Sequence, residues 1–167
     1  ANPATLSSRV DVVRVADVLY VLHENLGQVL IITPFDLATD TWGAASPAGP
    51  VPTAQPRFAR IVSVGADFWV FYEFLALPNV LRYVIYSAGA WGVPILLVAP
   101  GTTACFLVTV VKDSADTTHV FYSTSAGSSN GDLNYISVTS GGVISAPQLV
   151  TATAAGYAFQ SSRAGVW

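Results

Sequence analysis

The sequence predicts an all-β chain in which one four-stranded antiparallel unit is written about three times. Three observations carry that expectation. Of 167 residues, 52% are apolar and only 10% charged, against roughly 25% charged in an ordinary soluble chain. The polar remainder is mostly Ser, Thr, Gly, Asn and Gln, which suits exposed strand faces and turns. Short β-rich runs alternate with turn signals, and hardly any segment places apolar residues at i, i+3, i+4 and i+7. Finally, the pattern recurs: Asp17 to Asp67 is 50 residues and Asp67 to Thr118 is 51, while Val29, Leu81 and Leu133 fall 52 apart at each step.

Taken in order, residues 1–8 form an N-terminal arm with Pro3 among small polar residues. The first unit, residues 9–56, runs through Val10 to Val15, Val18 to His23, a turn at Glu24 to Gly27, Gln28 to Thr33 and on to Trp42, then a Pro-rich connection. The second, 57–102, uses Phe58 to Val64, Phe68 to Phe74, Val80 to Tyr86 and Trp91 to Val98. The third, 103–155, uses Ala104 to Val111, His119 to Ser123, Leu133 to Val138 and Val143 to Val150. Residues 156–167 read as the opening strand of a further unit, because Ala164 to Trp167 echoes Ala66 to Trp69.

Four strands per period of about 50 residues is the pattern of β-propeller blades. A twisted four-stranded sheet cannot bury both faces alone, and radial packing does so. A large residue near the last strand, Trp42 or Trp91, would fill the wedge between neighbours. The expected fold is thus a β-propeller-like array of about three blades plus a partial fourth. A β-sandwich or jelly roll of eight or more strands is the alternative, though it does not require a third recurrence.

Two sets of residues carry family resemblances. The stretch PFDLATDTW, followed by PRFARIVSVGADFWVFYEF, resembles the junction between kelch repeats; Tyr72-Glu73 and His23-Glu24 stand where that family has a Gly-Gly pair. LRYVIYSAGAWGVPILLV and LNYISVTSGGVISAPQLV look like blades of sialidase-like and fungal fucose-lectin-like propellers. The sialidase likeness implies Asp-box turns, an arginine cluster and a Tyr-Glu nucleophile pair. Ala38 to Trp42 keeps part of an Asp-box, while the turns at Ser87 to Trp91 and Thr139 to Val143 lack its Asp. Tyr72-Glu73 is the formal nucleophile pair, but adjacent strand residues point to opposite faces.

The remaining chemistry is sparse. Seven basic residues, scattered from Arg9 to Arg163 in a chain of net charge -3, form no phosphate-binding stripe, so nucleic acid is not an expected partner. Apolar runs such as Val93 to Ala99 are far short of the ~20 residues of a membrane helix, so no spanning segment is expected. The N-terminus lacks the basic and apolar regions of a signal peptide, and the absence of Met suggests a processed or excised chain. The single Cys105, within ACFLVTV, reads as a buried inert thiol. His23 and His119 have no metal-ligand spacing, and Asp113 to Asp116 reads as a solvated turn without the ligand count calcium needs. No cofactor is expected. Asp17, Glu24, Asp67 and Glu73 recur at comparable positions and could line one end of a ring, although strand-starting Asp residues ordinarily serve turns.

Binding or structural assembly is therefore the expected role, on an extracellular or virion surface, with part of a sialidase-like glycoside hydrolase as the alternative. The candidate ligand is a glycan, held by stacking and bidentate hydrogen bonds; the candidate residues are Trp42, Trp91, Tyr72, Glu73, Arg60 and Arg82. Propellers close with roughly four to eight blades, so the expected partner is either another copy of the chain or the remainder of a larger propeller.

Overall fold

A computed structural model of the chain describes residues 10–24, 29–48, 56–74, 80–98, 104–125 and 131–151. The expected arm at 1–8 and the further strand at 156–167 lie outside the described residues. Those described contain strands and turns and no helix.

Three antiparallel sheets follow one another along the chain. The first consists of β1 (Val10–Val15), β2 (Val18–Glu24) and β3 (Leu30–Asp36), with two short segments, β4 (Thr41–Trp42) and β5 (Ser46–Pro47), both paired to β3. The second repeats this arrangement with β6 (Pro56–Val64), β7 (Asp67–Phe74), β8 (Val80–Ser87), β9 (Ala90–Trp91) and β10 (Ile95–Val98). In the third, β11 (Ala104–Lys112), β12 (Thr118–Ser125), β13 (Asp132–Val138) and β14 (Gln148–Thr151) pair in sequence order.

Two differences from the expected strands have local causes. The outer strand of each sheet is interrupted, with Pro94 in the gap between β9 and β10 and Pro147 just before β14. Proline has no N–H to give a ladder. In the first sheet the break comes at Gly43, where a Cβ would meet Pro34 Cγ at 2.8 Å, a close approach that only glycine permits. The strand expected at Gln28 to Thr33 is instead β3, Leu30–Asp36. Pro34, Phe35 and Asp36 are drawn into it because β2 offers them partners at Tyr20, Leu19 and Val18.

Short turns set the register. Val15 pairs with Val18 and Val64 with Asp67, leaving two-residue loops whose first residues, Ala16 and Gly65, have φ of 51° and 59°. Positive φ there matches the twist of the flanking strands. The wider loop before β12 is closed by the Asp113 carboxylate, which accepts the Ala115 and Thr117 amides at 2.8 and 2.9 Å.

The second sheet is packed on both faces, which is why β7 is buried almost throughout. Strand alternation sends Phe68, Val70 and Tyr72 toward the first sheet, where they meet Leu22, Leu30 and Ile32. Trp69 and Phe71 point the other way, into a core with Leu107, Val120 and Ile136 of the third sheet. The sheets are stacked with their first strands running alike. Asp11 reaches Ile61 well before the two turns, and the rings of Tyr20 and Phe68 lie 4.5 Å apart just after them. Short turns therefore gather at one end of the stack, and strand ends such as Glu24, Leu30, Phe74 and Val80 lie at the other.

Candidate functional site

The recess of interest opens in the seam between the first two sheets, at the end away from the short turns. It is small, with room for about one water, and is lined by Asp11, Leu22, His23, Glu24, Leu30 and Ala59. Each wall has a local origin. Asp11 comes from β1; Leu22, His23 and Glu24 are the last three residues of β2; Leu30 opens β3, directly across from Glu24. Ala59 is there because β6 carries a bulge: Arg57 pairs with Glu73 and Arg60 with Phe71, so Phe58 and Ala59 together face Tyr72. Phe58 takes a left-handed φ of 50° to make the extra residue fit.

Asp11 is only 5% exposed. Its Oδ2 accepts the Ile61 amide of the second sheet at 2.9 Å, and its Oδ1 accepts the Val12 amide at 2.9 Å. A buried carboxylate needs such donors, so Asp11 fastens one sheet to the next. The second seam has a counterpart. Glu73, 1% exposed, accepts the Leu107 amide of the third sheet at 2.7 Å, beside a bulge at Val108. His23 Nε2 lies 3.4 Å from Thr33 Oγ1, and burial lowers the imidazole's pKa, which favours the neutral ring.

The six residues expected to bind ligand do not converge on one surface. Tyr72 and Arg82 are cross-strand neighbours on the face toward the first sheet. Burial pushes the Tyr72 phenol up, against the opposing effect of the neighbouring Arg82 guanidinium. The Arg82 guanidinium lies 4.2 Å from the centre of the Phe74 ring. Glu73 and Arg60 belong to the opposite face of the same sheet, and Arg60 Nη1 donates to the Ala59 carbonyl at 3.0 Å. Trp91 sits near the short turns, edge-on to Phe68 and Tyr86 at 5.5 and 5.1 Å, and fills the wedge between the first two sheets. Trp42, placed by sequence in the same role, is instead 63% exposed against Phe35, because no sheet among the described residues covers that face.

Sequence reasoning missed Asp11 and Ala59. The signal for Asp11 was an acid sharing strand parity with Val13 and Val15 in VDVVRV. For Ala59 it was the surplus residue in PRFARIV, invisible without the partner strand. A separate polar chain joins Asp113, His119 and Tyr135 on the third sheet, through contacts of 2.9 and 2.8 Å. The His119 ring and the Thr117 amide hold the Asp113 carboxyl below its ordinary range. Among the described residues no group of three His, Cys, Asp or Glu side chains could hold a metal ion.

No family model and no curated protein sequence matches the chain. Solved structures do. A PL25 ulvan lyase bound to a GlcA–Rha3S saccharide matches with a TM-score of 0.60 and 13% identity, over 83% of this chain and 36% of that one. The catalytic domain of a GH62 α-L-arabinofuranosidase from Coprinopsis cinerea matches with a TM-score of 0.56 and 15% identity, over 91% and 52%. An α-L-arabinofuranosidase from Podospora anserina, in complex with cellotriose, gives 0.56 and 12%, over 90% and 52%. The three sheets are therefore part of a β-propeller fold shared with carbohydrate-active enzymes. This chain spans between about a third and a half of the chains it matches.

Proposed function

We infer that the chain is a carbohydrate-binding propeller module of an extracellular or virion surface, with its site at the rim of the recess of the first seam and no hydrolytic role of its own. The observation that carries this is the division of labour in that recess. Asp11 has an amide on each oxygen, while Glu24 shares a strand face with Leu22, beside Leu30 and Ala59. A carboxylate accepts two hydroxyls, and aliphatic side chains suit the C–H face of a sugar ring. The recess itself has room for about one water, so a sugar would lie across its rim and not inside it. The saccharide ligands and substrates of the structurally similar proteins support the same ligand class.

A second reading, a piece of a glycoside hydrolase, draws on the presence of Asp11 and Glu24 in one recess. Hydrolysis would need both carboxyls to act across a glycosidic bond. Both oxygens of Asp11 already accept backbone amides, which casts it as a structural acceptor between the sheets. The test is titration of the protein with a panel of oligosaccharides, followed by NMR, with mass analysis of the sugars afterwards. Binding that weakens at least tenfold in Glu24→Gln, with intact sugars recovered, is the expected result. Unchanged affinity in that variant, or no binding at all, overturns the site; shortened products establish the hydrolase instead.

A further inference from the structure

The two seams inside the molecule are built from one pattern, and the same pattern is present on the two faces that no described residue covers. On the leading side of a seam, the first strand supplies a valine paired with a large second-strand residue: Val13 with Tyr20 in the first sheet and Val62 with Trp69 in the second. Beside it lies a large pair from the second and third strands, Leu22 with Ile32 and then Phe71 with Tyr83. The third sheet repeats both on its outer face, where Val111 pairs with His119 and Phe121 with Tyr135. Val111 is 49% exposed, and the Phe121 and Tyr135 rings lie 5.3 Å apart with part of their surface open.

The trailing side of a seam follows a different, smaller pattern. It is Ile61, Val70 and Val84 across the second sheet, and Val110, Val120 and Ile136 across the third. In the first sheet the register puts Val12, Val21 and Thr33 in these places, on its outer face, with Val12 43% exposed. The wedge is repeated as well. Trp91 rests against Tyr86 inside the first seam, and Trp42 rests against Phe35 at 4.8 Å on the outer face of the first sheet. Phe35 pairs with Leu19 as Tyr86 pairs with Phe68, so Trp42 is a wedge without a seam.

We propose that a second copy of this chain docks its first sheet onto the third sheet of the first copy, forming a seam of the same kind as the two internal ones. Each copy carries one leading and one trailing half, so the contact is heterologous, and such a contact makes a ring where its rotation closes. Two copies supply six sheets, within the roughly four to eight at which propellers close, and both outer faces are then covered.

Glutamate at an exposed seam position leaves the single chain intact and disables the contact. The experiment is native mass measurement at micromolar concentration on the full chain, Val12→Glu, Val111→Glu and an equimolar mixture of the two variants. The expected masses are two chains for the wild type and one for each variant. The mixture returns to two, because one intact trailing half and one intact leading half remain to form a single seam. Trp42 emission shifts to shorter wavelength in the wild-type dimer relative to Val12→Glu. A wild type of one chain overturns the proposal and leaves the faces to further polypeptide or another protein. So does a dimer that survives in either single variant, since like faces would then be pairing, and so does a mixture that remains at one chain although both variants retain the circular dichroism spectrum of the wild type.

Discussion

The two internal seams share an architecture and differ in where the buried acid comes from. In the first, Asp11 belongs to β1 and lies at the mouth of the seam, in contact with the recess. In the second, Glu73 belongs to β7, one strand further from the inner edge, and is 1% exposed. Both seams are filled with aromatic rings, among them Tyr20, Phe68, Tyr86 and Trp91 in the first. Trp69, Phe71 and Tyr83 stack in the second seam, with the Tyr83 ring centre 5.5 Å from that of Trp69 and 5.2 Å from that of Phe71. Opposite them sits Cys105, whose thiol burial pushes up to about 11 with help from the Glu73 charge. A seam closed by large aromatics and an internal acid is a joint. The first seam keeps its acid beside a small recess of Leu22, Leu30 and Ala59 that water can enter.

The largest expected effect falls on the aromatic stack. Trp69→Ala removes the largest buried side chain of the second seam and should destabilise the protein by about 4 kcal/mol, within the range for such truncations. Leu22→Ala in the first seam should cost about 2 kcal/mol, near the low end for aliphatic truncation, because a site bordering a recess admits water. Urea unfolding monitored by circular dichroism measures both, and equal losses would remove the distinction between joint and mouth.

The acids provide a smaller and more specific comparison. Glu73→Ala leaves the buried Leu107 amide without its acceptor, which should cost about 3 kcal/mol. Asp11→Ala also exposes amides, but water entering from the recess can replace the carboxylate, so about 1 kcal/mol is expected. Urea midpoints of the two variants decide it, and an Asp11 variant as damaged as the Glu73 variant would show that the recess is dry.

Much of this fold was legible in the sequence for a simple reason. Periodicity records alternation, and a sheet packed on both faces writes apolar residues at every position, as DFWVFYEF does in β7. The pairs at 50–52 residue spacing therefore located equivalent strands. The site was much less legible. Tyr72 and Glu73 were attractive as neighbours in sequence, yet alternation sends them into different seams. Trp42 and Trp91 were equivalent in sequence but not in burial, since burial depends on whether a sheet lies opposite. The recess depends on a bulge, and a bulge is a mismatch between two strands that neither records alone.

His23, on the outer face of the first sheet with Val21 and Thr33, offers the finest distinction, between an open face and a buried seam. Burial lowers its pKa from the ordinary 6.5, so the unfolded chain takes up a proton at a pH where the folded ring remains neutral. Its contribution to stability is accordingly present above about pH 6.5 and declines as pH falls toward the depressed folded value. Cys105, at about 11, has no corresponding effect in this range, so the second seam's thiol is silent where the outer-face imidazole is not. Unfolding free energies of the wild type and His23→Gln between pH 7.5 and about pH 5 should converge as pH falls, since only the wild type carries this proton uptake. Parallel curves would mean that His23, beside Thr33 on the outer face of the first sheet, is as well solvated in the fold as in the unfolded chain.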